Sequence, residues 1–283
     1  MMIKKLVNSV FRVAVLCVLI PSANGDLIGH WALDEESGAM AYDSSPSGWD
    51  GIVSAGAEGN WLPDGGKLDG SFDFTGQDYI IVPDFVPTNG IVTVGAWAYA
   101  RSRPGWSNLV TNWAGETGQL HFGQNPSGLL TLHYTQSSGA SVNTGDSEAF
   151  PLEEWQHCAF VADGANLIVY RNGNELIRIA YDGTAKQSMP LLGIGCKPNG
   201  NPSAPAPDGG VPAYWDGFID DVTLFDHALT QDEINKLMEG LGAKELAADP
   251  APEDTAVDVV RGTLLKWEAG EFAATHDLYL GTD

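Results

Sequence analysis

Along most of this chain apolar residues fall at every second position, in short runs separated by Gly, Pro, Asn, Asp and Ser. That period of two marks β-strands with one buried face, and no long run carries the 3.6-residue period of a helix. The pattern predicts strands at Leu27 to Leu33, Ile52-Val53, Leu68 to Phe74, Tyr79 to Val82 and Ile91 to Ala100. Further strands follow at Leu109–Trp113, Gln119–Gly123, Leu129–Tyr134, Trp155–Ala162, Leu167–Tyr170, Glu175–Ile179, Leu191–Cys196 and Gly217–Phe225. Asn172-Gly173 between two of them is a tight hairpin signal. In the last run, strict alternation puts Phe218, Asp220, Val222 and Leu224 on one face and Ile219, Asp221, Thr223 and Phe225 on the other. Both faces are largely apolar, as in a strand buried between layers, and two carboxylates there are costly unless bonded. Thr230 with Glu233 then has capping-box spacing, Ile234 and Leu237 give an apolar stripe, and Gly240 can close a short helix. Many short strands joined by turns predict an all-β, two-sheet antiparallel jelly-roll sandwich with one short C-terminal helix.

The amino terminus breaks this pattern. Lys4, Lys5 and Arg12 precede an apolar run from Val13 to Ile20, and Ala23-Asn24-Gly25 supplies small residues for cleavage. Residues 1–25 therefore read as a secretory signal peptide, too short in its apolar part to span a bilayer. The expectation is a secreted or cell-surface protein with no membrane insertion. Its net charge of −23 becomes more negative still when that segment is removed. Such a surface repels nucleic acid and favours solubility or multivalent cations. Cys158 and Cys196 follow the signal, and secretion permits a disulfide between them; the alternative is that each serves as a small buried apolar residue.

Ordered fragments along the chain resemble the laminin-G-like, concanavalin A-like lectin/glucanase domains. They begin with His30-Trp31-Ala32-Leu33-Asp34-Glu35, Gly38, Asp43-Ser44-Ser45 and Asp50-Gly51. They continue through Phe72-Asp73-Phe74-Thr75-Gly76, Asp78-Tyr79-Ile80, Trp97, Trp155–Phe160, Asp163-Gly164 and Tyr170–Gly173, and close on Gly217 to Thr230. The resemblance places one jelly-roll domain at residues 26–245. Residues 246–256 are a Pro- and acid-rich linker, and the two strand-like runs in 257–283 resemble the start of a fibronectin-type-III-like module. Two such strands are too few to fold alone, so neighbouring domains of a longer chain are expected.

The resemblance also implies chemistry. In related jelly rolls a cation can tie the opening loop to the closing strand, which points to Ca2+ held by Asp34, Asp43 and Asp220. The competing reading is that Asp43 caps its own Asp-Ser-Ser turn and Asp220 accepts backbone N–H bonds. Sugars stack on exposed aromatic rings, and Trp106, Tyr214 and Trp215 lie in turn-rich sequence suited to that, although most tryptophans of such a domain belong to its core. Glu-x-Asp-x-x-Glu, the pattern of retaining glucanases on this fold, does not occur, and the histidines lack metal spacing. The expected function is a non-catalytic module binding polysaccharide or glycoprotein glycans, or mediating adhesion. The alternative is a structural spacer beside an enzyme.

Overall fold

The computed structural model describes residues 26–86, 88, 90–113 and 118–241, with the backbone of 248–251 and 266–268. The expected signal peptide lies outside the described residues, as does most of the segment expected to resemble a fibronectin-type-III module. The stretch expected to be a linker contains β17 (Ala248–Ala251), which pairs with β18 (Lys266–Glu268).

Among the described residues, sixteen strands precede that pair and form two antiparallel sheets, the jelly-roll sandwich that the alternation predicts. The first sheet runs β14 (Asn174–Ala180), β13 (Asn166–Arg171), β12 (Trp155–Ala162), β7 (Val92–Ala100), β16 (Asp216–Phe225), β5 (Ser71–Thr75) and β4 (Trp61–Leu62). β1 (Leu27–Trp31) also pairs with β16. The second sheet runs β11 (Ser141–Ala149), β10 (Leu129–Thr135), β9 (Leu120–Gln124), β8 (Asn108–Thr111), β15 (Leu191–Ile194), β6 (Ile80–Pro83), β3 (Gly51–Val53) and β2 (Met40–Ala41). Their facing surfaces interdigitate. Val92, Val94, Ala96 and Ala98 of β7 meet the same core as Phe122, Leu130, Leu132 and Tyr134 of the second sheet. Burying each large apolar side chain contributes about 1.5–3 kcal/mol, so this layer dominates stability.

The closing strand departs from simple alternation. Ile219, Val222 and Leu224 all face the core, while Phe218 lies on the outside against Tyr99 and Trp155. The face assignment that grouped Phe218 with Val222 and Leu224 is therefore corrected. Its cause is a β-bulge at Asp220-Asp221, where the register on β7 shifts and Asp221 takes a left-handed φ of 48°. One extra residue swaps the inward and outward sets downstream of it. The bulge also divides the strand's other edge: Asp216–Ile219 pair with β5, and Val222–Phe225 pair with β1.

The short helix α1 (Gln231–Leu237) begins as its sequence requires, with the full Thr230–Glu233 capping box. Ile234 and Leu237 then dock on Ala159, Val161, Ile168, Tyr170 and Phe225, covering part of the first sheet's outer face. No helix among the described residues is long and apolar enough to cross a membrane.

Gly217 opens the closing strand at φ 142°, and a Cβ built there would stand 1.8 Å from the Tyr99 carbonyl oxygen. Backbone cannot yield to that contact as a flexible side chain would. Gly217→Ala should therefore lower stability by at least about 2 kcal/mol, read as a shift in urea midpoint at unchanged slope.

Candidate functional site

Two regions collect polar chemistry, and they lie on different sheets. The first is the corner where the opening loop meets the closing strand. Asp43 is buried and accepts four hydrogen bonds: from His30 N (2.8 Å), Ser45 N (2.9 Å), Ser45 Oγ (2.9 Å) and Trp49 N (2.8 Å). His30 extends this network, for its Nδ1 meets Ser44 Oγ at 2.6 Å and its Nε2 meets Asp221 Oδ1 at 2.7 Å. Nearby, Asp34 Oδ1 accepts from Gly70 N, and Asp220 Oδ2 accepts from Lys67 N and Leu68 N. Asp220 Oδ1 is buried without a partner. Burial raises the Asp220 carboxyl to about 8; the Leu68 and Lys67 N–H groups oppose this, and Asp221 and Asp34 reinforce it. The Asp34 carboxyl is raised too, chiefly by burial.

The acidic residues thus fasten the opening loop and the 66–70 turn onto the bulge. Asp34, Asp43 and Asp220 do not come together as one ligand set. Asp43 is committed to its own turn and to the His30 N–H of β1, and among the described residues no three His, Cys, Asp or Glu side chains could hold a metal ion. Among the described residues of this corner, Asp220 Oδ1 and Glu35 Oε2 are buried carboxylate oxygens without hydrogen-bond partners.

The second region is a pocket of about 210 Å³ on the outer face of the second sheet, lined by Trp106, Trp113, His121, His133, Lys197, Val211 and Ala213. Strand alternation builds its floor. Leu120 and Phe122 of β9, like Leu130 and Leu132 of β10, point into the core, so His121 and His133 must point outward. The two histidines are direct partners in the antiparallel register. Trp106 precedes β8 at φ 63° and packs edge-on to His121, with ring centroids 5.6 Å apart. Trp113 follows β8 and lies 4.6 Å from His133. The buried Asn112 amide holds that end, bonding Gln119 and the Leu120 N–H.

The Pro-rich loop 197–212 forms the far wall. Lys197 Nζ is 3.1 Å from Asp208 Oδ2, while Asp208 Oδ1 accepts from the N–H groups of Gly210 and Val211. Those backbone bonds, with Val211 first, hold the Asp208 carboxyl below its usual range. Burial, then repulsion by His133 and Lys197, pushes His121 down to about 4. Burial lowers His133 as well. Both imidazoles are therefore neutral at pH 7, with buried Nε2 atoms that lack partners.

Of the three aromatic residues expected to meet sugar, the pocket contains Trp106, which is 43% exposed. Trp215 is a correction: it is fully buried in the core, edge-on to Phe150. Its flanking Pro-rich sequence suggests a loop, but the chain has re-entered the sandwich by that point. Tyr214 is half-buried beside the pocket, against Ile81, Leu191 and Cys196. Of the two readings open for Cys158 and Cys196, the structure has the second: both thiols are free and buried. Cys158 belongs to the core between the sheets and Cys196 to the outer cluster of the second sheet. Sequence reasoning did not single out Trp113 or Lys197 for this site, and it set His121 and His133 aside because they lack metal spacing. Alternation alone could have turned both histidines outward, but their pairing needs the fold.

Comparison with known proteins adds a frame for this geometry. The model of the Laminin_G_3 family, described as the concanavalin A-like lectin/glucanases superfamily, matches residues 74–235. No curated protein matches the sequence. Among solved structures, domain 4 of AbnA, a GH43 extracellular arabinanase from Geobacillus stearothermophilus, in complex with arabinotriose, is similar at TM-score 0.56 and 19% identity. The match covers 76% of this chain and 99% of that one. The binding domain of Paraclostridial Mosquitocidal Protein 1 matches at TM-score 0.56 and 15% identity, over 79% of this chain and 54% of that one. A Trypanosoma rangeli sialidase matches at TM-score 0.51 and 18% identity, over 75% of this chain and 32% of that one. At these identities the likeness establishes the fold.

Proposed function

This chain belongs to the concanavalin A-like lectin/glucanase superfamily, and we propose that it is a glycan-binding module whose site is the Trp106–Trp113 pocket. The observation that carries this reading is the pocket's composition: two tryptophan walls around a floor of two neutral imidazoles. Sugar rings present apolar C–H faces that stack on indole, and their hydroxyls bond imidazole nitrogens. The arabinotriose complex of the similar arabinanase domain supports an oligosaccharide as the ligand class. The basic-then-apolar run of residues 1–25 and the acidic surface support action outside the cell, beside neighbouring domains. For calcium the proposal narrows to one corner, Asp220 Oδ1 beside Asp34.

Calorimetric titration with a panel of plant, bacterial and host oligosaccharides tests the reading. At least one should bind, and Trp106→Ala should weaken it about tenfold or more, equivalent to about 1.4 kcal/mol. The exposed position of Trp106 predicts an unchanged melting temperature for that variant. Absence of binding across the panel would favour a spacer role. Binding that Trp106→Ala leaves intact would move the site elsewhere.

A further inference from the structure

The two histidines of the pocket floor have a second capacity, at the same ring nitrogens that the glycan reading assigns to sugar hydroxyls. His121 and His133 face each other across β9 and β10 in the antiparallel register. Side chains directly opposed on neighbouring strands have Cβ atoms about 4.5–5.5 Å apart, within reach of a shared ion. Both Nε2 atoms are buried and without hydrogen-bond partners. His121 is 93% buried by its 7% exposure, yet it lines an open pocket. A buried polar atom left unsatisfied is costly, so water or a ligand is expected at both nitrogens. Trp106 and Trp113 pack against the two rings and restrict their rotation.

We propose that His121 and His133 chelate one divalent transition-metal ion through their Nε2 atoms, leaving its other positions open to the pocket. Imidazole nitrogens favour copper, nickel and zinc over calcium and magnesium, which prefer oxygen ligands. At pH 7 no proton competes, because burial keeps both rings neutral. The like charge on Lys197 is offset by its ion pair with Asp208. With two protein ligands the ion is exchangeable, and the open positions can take water or an oxygen of a bound molecule.

The test uses the chain stripped with chelator and titrated with Cu2+, Ni2+ and Zn2+ at pH 7.5. One ion should bind per chain at micromolar concentration, and Cu2+ should quench tryptophan fluorescence and give a resonance spectrum split by two nitrogens. His121→Gln and His133→Gln should each weaken binding at least tenfold and abolish the two-nitrogen signature, with folding checked by circular dichroism. His133→Ala serves as a second variant, since that ring is only half-buried. Binding that survives all these changes would overturn the proposal, as would no binding below millimolar metal. A chain that binds sugar but no metal would refute this inference and leave the glycan reading standing.

Discussion

Asp43→Ala should be the most destabilising single replacement in the opening loop, by about 3–5 kcal/mol, through loss of a buried network. Four donors lose their acceptor together: His30 N, Ser45 N, Ser45 Oγ and Trp49 N. The damage spreads in two directions. Trp49 O is the acceptor for Trp31 Nε1, and Trp31 is fully buried in the core. His30, whose backbone Asp43 holds, carries the ring that bonds Asp221 at the bulge of β16. At about 2–4 °C per kcal/mol for a domain of this size, the melting temperature should fall by roughly 10 °C. Asp43→Asn should recover little of this. Its amide oxygen can serve only one side of the network, and its NH2 group then confronts the donors on the other. A fall of a degree or two for Asp43→Ala in calorimetry would show that the loop does not depend on this carboxylate.

Asp220→Asn should change the pH dependence of stability more than any other isosteric replacement. The folded carboxyl is raised to about 8, first by burial, whereas an unfolded aspartate ionises near 4. Between those values the folded state holds a proton that the unfolded state has lost. Stability contributed by this group is therefore fully present below pH 4 and falls as pH rises to about 8, by up to about 1.4 kcal/mol per pH unit. Asparagine keeps an oxygen for Lys67 N and Leu68 N and removes the titration. The stability difference between the two proteins should move steadily in favour of Asp220→Asn from pH 5 to pH 8, measured in chelator. A constant difference would reject the protonated carboxyl. Added Ca2+ at pH 8 should stabilise the native chain and not the variant if the cation occupies Asp220 Oδ1; equal response of both would remove calcium from this corner.

Much of the architecture was legible because its signals are local. The Thr230–Glu233 box produces a capped helix, since cap donors and acceptors lie within one turn. Asn172-Gly173 makes its tight hairpin because both residues tolerate the positive φ values of 49° and 73° found there. Outward and inward residues on β7, β9 and β10 follow from a period of two. The polar strand β11 (Ser141–Ala149) was not foreseen. It is an edge strand with much of its length exposed, so burial imposes no apolar alternation on it.

The candidate sites divide along the same physical line. Sequence alone determined the all-β character, the closing helix, the acidic surface and the unusual placement of two aspartates in an apolar strand. Those properties depend on neighbours within a few residues, or on composition. Only the tertiary structure decided that Asp220-Asp221 form a bulge, that Trp215 and the two cysteines are buried apart, and that His121 meets His133 between Trp106 and Trp113. Each of these depends on which strand lies beside which. That order is set by packing two sheets around one core, and short-range spacing does not encode it.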